Sequence, residues 1–137
     1  MAEDKKPEKD RADAVAANKS LVDVGKLQGE LARFARERDW EQFHSPKNLV
    51  MALTGEVGEL SELFQWLSEG ASREVGRDAA TSRPVRDELA DVLFYLVRLA
   101  TVLEVDLNEA AASKLHSNAK KYPIDKARGN ARKYSEF

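Results

Sequence analysis

At 137 residues and 42% hydrophobic content, the chain suits one domain with a modest core that association with further copies could extend. A formal net charge of -2, from 22 basic and 24 acidic side chains, leaves no broad basic surface for a nucleic-acid polymer. The absence of cysteine excludes disulfides, thiolate metal sites and cysteine nucleophiles, and fits a reducing, cytoplasmic setting. No apolar run reaches the length of a membrane span and the amino terminus lacks a signal-peptide core, so no membrane partner is expected.

Residues 1–19 are polar, alternate in charge and carry no apolar stripe, which predicts a flexible tail. A helical domain is expected over 20–123. Leu21, Val24, Leu27, Leu31 and Phe34 follow helical spacing and predict a first helix ending before Trp40. Ser45 followed by Pro46 looks like an N-cap with proline at the first helical position, opening a second helix that runs to Leu67. Gly70 closes it, 71–83 read as a connecting loop, and Pro84 marks the entry of a third helix over 85–104. Asp106 with Glu109 forms a capping-box-like start to a fourth helix, stopped by Tyr122-Pro123. Residues 124–137 read as a basic, loosely ordered tail. With no strand-like alternation, glycine-rich phosphate loop or repeat, the fold class is all-α, a four-helix bundle.

Two pairs of acids stand where a solvated surface would not put them. On the second helix Leu49, Leu53, Leu60, Phe64 and Leu67 share one apolar arc, and Glu56 projects inside it with Glu59 at its margin. Glu62 continues the series but projects towards solvent. The third helix is apolar almost all round, yet it carries Glu88 and Asp91. A buried, unpaired carboxylate is costly or becomes neutral. Arg98, the only basic residue in the interior of that helix, cannot neutralise four acids, so a bound divalent cation is the better account. Residues at i and i+3 can place two carboxylates on one ion, and an all-oxygen set selects Mg²⁺ or Mn²⁺ over zinc. A di-iron site would need Glu followed three residues later by His, a spacing that neither His44 nor His116 has.

Glu56-Val-Gly-Glu59, a 28-residue spacer, then Glu88-Leu-Ala-Asp91 resembles the Glu-x-x-Glu and Glu-x-x-Asp metal signature of the MazG-like all-α NTP pyrophosphatases. The flanks HSPKNLVMALTGEVGELSELFQW and DELADVLFYLVRLA, with VDL and SKLHSNAKKYP after them, resemble the dCTP pyrophosphatase branch of that superfamily. The resemblance spans about Leu27 to Pro123. It implies a Mg²⁺-dependent attack of water on the α-phosphorus of a (deoxy)nucleoside triphosphate, dCTP or a modified pyrimidine dNTP, releasing pyrophosphate and clearing such nucleotides from the pool. It also implies assembly into a homotetramer, a dimer of dimers. Glu56, Glu59, Glu88 and Asp91 are then the metal ligands, and Glu59 or Glu62 accepts the proton of the attacking water.

The same resemblance, together with position, gives the substrate contacts. Trp40 and Trp66 flank the first acidic pair and offer a π-face to a base. His44 and Asn48 could hydrogen-bond the base or sugar, Tyr95 matches a family tyrosine beside Glu88, and Lys114 and Asn118, one turn apart, could meet the distal phosphates. Leu31 stands where members of that branch often carry a histidine. The alternatives are a pyrophosphatase of broader (d)NTP range and a helical interaction or regulatory module that holds metal without turnover.

Overall fold

The computed structural model describes residues 21–137, so the tail expected over 1–19 lies outside the described residues. These form six α-helices and no strand: α1 (Gly25–Glu37), α2 (Pro46–Glu62), α3 (Glu69–Glu74), α4 (Ala79–Val102), α5 (Leu107–Lys121) and α6 (Ile124–Ala127), with 3₁₀ turns at Glu41–Phe43 and Tyr134–Glu136. The all-α class holds. The count of four does not, because the short helices α3 and α6 form in segments that read as the end of the second helix with its loop and as a tail.

Local chemistry explains most boundaries. Ser45 Oγ accepts from the Asn48 amide at 3.2 Å with Pro46 at the first helical position, and the Asp106 carboxylate accepts from the Glu109 amide at 3.1 Å. The second helix ends five residues before Leu67: turn-type bonds such as Leu63 N–H to Leu60 O, 3.2 Å, tighten the chain after Glu62. Gly70 lies inside α3, whose start is capped by Ser68 Oγ accepting from the Ala71 amide at 3.1 Å. The entry expected at Pro84 is also corrected, because Asp78 caps the Ala80 amide at 3.1 Å and α4 has already begun when it reaches Pro84.

The described residues divide into two compact units, Val24–Val105 and Asp106–Phe137 with 21–23. In the first, α2 packs along α4 over the largest helix–helix contact and α1 leans on α4. Ala35, Leu49, Val97 and Ala100 are buried there. That small core leaves Leu89, Leu93 and Leu96, on one face of α4, 51%, 41% and 42% exposed. In the second unit the Leu21 and Val22 amides donate to Asn108 Oδ1 at 2.6 and 3.1 Å. Tyr122 meets Tyr134 and Phe137 edge-to-face, with ring centroids 5.9 and 6.0 Å apart. These contacts, and α6, replace the loosely ordered tail expected over 124–137. No helix among the described residues is long and apolar enough to cross a membrane.

Both α1 and α4 end in the same backbone lock. After α1, Asp39 takes a left-handed conformation (φ 54°), its amide donates to Arg36 O at 3.0 Å, and the Trp40 amide reaches back to Ala35 O at 2.9 Å. After α4, Glu104 (φ 55°) and Val105 repeat the pattern on Thr101 O and Ala100 O at 3.1 and 2.8 Å. A side chain is strained there. Glu104→Gly is therefore expected to raise stability by roughly 0.5–1 kcal/mol, about 2–3 °C in Tm by calorimetry; an unchanged or lower Tm would count against this lock.

Candidate metal centre

The packing of α2 on α4 brings the two acidic pairs together. Glu56, Glu59 and Glu88 each offer a carboxylate oxygen, and these lie within 4.8 Å of one another. Burial first, then a hydrogen bond shared with Glu59, then the charges of Glu59, Asp91 and Glu88 push the Glu56 carboxyl up to about 7. Burial also pushes Glu88 up, helped by the charges of Glu59, Asp91 and Asp87 and by a hydrogen bond with Glu59. Asp91 stands outside the tight triad, yet its charge is felt by both.

Among the described residues no basic side chain pairs with this concentration of acid. The ion pairs among the described residues use Glu30, Glu37, Glu69 and Glu74, and none of the four site acids. Glu88 Oε2 is buried with no hydrogen-bond partner. Three carboxylate oxygens within 4.8 Å of one another, beside a buried Glu88 Oε2 that has no partner, suit a hard divalent cation, so the residues present fit such an ion.

Asp91 links the cluster to a cavity of about 270 Å³. Leu31, Phe34, Ala35 and Phe94 give it apolar walls, Trp40 and Tyr95 add aromatic faces, and Asp91, His44 and Arg98 form its polar part. Trp40 is held by the turn after α1 and by an edge-to-face contact with Phe34, centroids 5.7 Å apart. Arg98 Nε donates to His44 Nδ1 at 3.1 Å. Burial first, and then the Arg98 charge, hold His44 below its ordinary value, so the ring is neutral near pH 7. A neighbouring cavity of about 390 Å³ shares Trp40, His44 and Tyr95 and adds Asn48.

Of the residues singled out from sequence, Glu56, Glu59 and Glu88 come together, and Asp91, Trp40, His44 and Tyr95 line the adjoining cavity. Asn48 lines the second one, but its Nδ2 is committed to Phe43 O at 2.9 Å and so also serves the turn. Glu62, the last residue of α2, is exposed and outside the triad. Trp66 falls beyond the end of α2, 88% exposed and lining neither cavity, because the helix expected to carry it stops early. Lys114 and Asn118 lie on α5, in the other unit. Sequence reasoning did not place Arg98, Phe34 and Phe94 in a site; an arginine set within the apolar stretch of its helix was the available signal.

A profile described as the MazG-like family matches residues 52–137, a span that includes both acidic pairs. The chain belongs to the MazG-like family. Among related proteins, it is 49% identical over 118 residues to dCTP pyrophosphatase 1 of Homo sapiens and 47% identical to that of Mus musculus, in each case covering 86% of this chain and 68% of the relative. A solved structure similar to this chain is that of a pyrophosphatase from Archaeoglobus fulgidus DSM 4304, with a TM-score of 0.67 and 39% identity over 72% of this chain and 90% of the other. The resemblance to the MazG-like dCTP pyrophosphatase branch is thereby upheld.

Proposed function

We propose that the chain is a Mg²⁺-dependent nucleoside triphosphate pyrophosphohydrolase acting on dCTP or a modified pyrimidine deoxynucleotide. The observation that carries this reading is the unneutralised triad of Glu56, Glu59 and Glu88 beside an aromatic-walled cavity, with Asp91 between them. The relatives named dCTP pyrophosphatase 1 support the reaction and the base. Glu56, Glu59, Glu88 and Asp91 would hold the cation, which when bound offsets triphosphate charge and orients the phosphates. A water oxygen bonds to the α-phosphorus, the bond from that phosphorus to the bridging oxygen breaks, and pyrophosphate leaves with that oxygen. Glu62, one turn beyond Glu59 and outside the triad, is left to accept the water's proton. Trp40 and Tyr95 bracket the base, and Lys114 and Asn118 are proposed phosphate contacts. Glu62→Gln is then expected to lose turnover while keeping Mg²⁺ affinity, and Glu59→Gln to lose both. Equal Mg²⁺ affinities with equal loss of turnover would assign the two residues otherwise.

The direct test is pyrophosphate release by the purified protein with Mg²⁺ across dCTP, 5-methyl-dCTP, dUTP, dTTP and purine nucleotides. No release from any of them would leave a metal-binding module without turnover. One observation favours a broader (d)NTP range: Leu31, an apolar side chain with no hydrogen bond to give a base, forms part of the cavity wall. Comparable rates across the panel would establish that second reading.

Self-association into a homotetramer belongs to the same proposal. A core of only four buried hydrophobic residues among the described ones, and the exposed Leu89, Leu93 and Leu96 stripe on α4, support it. Leu93→Asp is expected to lower the mass found by light scattering; a monomeric wild-type mass would overturn the assembly.

A further inference from the structure

We propose that Arg98 is a positioning residue that fixes the tautomer of His44, so that the pair gives the cavity an Nε2–H donor and selects a base edge presenting acceptors. The inference rests on the reading of the cavity as a nucleobase pocket and names the group that discriminates within it. A guanidinium has only donors, so the 3.1 Å contact from Arg98 Nε requires a lone pair on His44 Nδ1. Burial of the ring, and then the Arg98 charge, disfavour a second proton on His44. The single remaining proton therefore sits on Nε2, and among the described residues no partner takes it.

Both residues line the same cavity, whose other walls are mostly aliphatic and aromatic. Those walls accept any flat ring and carry little discrimination of their own. The fixed donor does discriminate. Cytosine offers two adjacent acceptors, O2 and N3, to an N–H at that position. Thymine and uracil keep O2 as an acceptor but carry a proton on N3, so a donor set between these two positions gains one bond in place of two and faces a second donor at N3. The contact also joins residues 54 apart in sequence, so the orientation of His44 is set from α4 and not by its own short segment.

Imidazole ¹⁵N spectra at pH 7, with kcat/KM for dCTP and dTTP in Mg²⁺, test this on wild type, Arg98→Met, His44→Phe and His44→Gln. Wild type is expected to show His44 protonated on Nε2 alone, and Arg98→Met a mixture of tautomers. The dCTP-to-dTTP ratio should fall roughly tenfold in Arg98→Met and His44→Phe, mainly through KM for dCTP. His44→Gln, whose amide can stand in for Nε2–H, should retain most of the ratio. An Nδ1-protonated ring in wild type, or an unchanged ratio in His44→Phe, overturns the inference even if Arg98→Met does not fold. Absence of turnover with either nucleotide instead removes the functional reading, a result distinguishable from both.

Discussion

Glu56→Gln is expected to cut pyrophosphate release by on the order of 10²–10³-fold while leaving the protein folded. Glu56 lies on the helix that packs along α4, and its carboxylate is one of three whose oxygens lie within 4.8 Å of each other. Glutamine keeps the shape and removes one anionic ligand, so Mg²⁺ binding by calorimetry should weaken in parallel. Asp91→Asn is expected to act in the same direction. The metal-free Glu56→Gln protein should also be more stable than metal-free wild type above neutral pH, since one member of a crowded acidic set has gone. Full activity in either variant would sink the metal assignment, and lower stability of metal-free Glu56→Gln would mean that the acids serve the fold.

The second large effect is the pH dependence of stability. The Glu56 carboxyl titrates near about 7 in the folded chain, against an ordinary value of 4.5. Below the ordinary value both folded and unfolded chains hold the proton, and the group favours neither. Between the two values the folded chain retains a proton that the unfolded chain has released, so stability falls as pH rises, and the full loss is reached above about 7. Glu88, also shifted upward, adds to this trend. Metal-free protein is thus expected to lose about 5 °C or more in Tm between pH 5 and pH 8. Mg²⁺ should restore it, and by more at pH 8 than at pH 5, because cation and proton compete for the same oxygens. A flat Tm, or equal gains at both pH values, would contradict the crowding of these acids.

What could be read from the sequence was what local chemistry decides. Ser45-Pro46 and Asp106 signal their caps within three residues, and both act as read. The acidic pairs were legible because Glu56 interrupts an apolar arc and Glu88 and Asp91 interrupt an apolar helix, anomalies that periodicity exposes. Pro84 misled because proline marks a helix entry only when no better cap precedes it, and Asp78 is that cap. Trp66 was projected from a helix whose end is set by turn-type bonds after Glu62, which periodicity does not report. The partnership of Arg98 with His44 was hidden for a different reason: it spans 54 positions and exists only once α4 is packed.

The turn after α1 also limits how the cavity can change over evolutionary time. Trp40 is set by main-chain bonds from residues 39 and 40 to Arg36 and Ala35, and these ask little of side-chain identity. Arg38 and Asp39 can therefore drift among many residues with the indole held in place, glycine at 39 most easily. Adding or removing one residue there would break the register of both bonds and rotate the indole away from Phe34. Variation in this wall should accordingly arrive as substitutions at fixed length, and seldom as insertions or deletions.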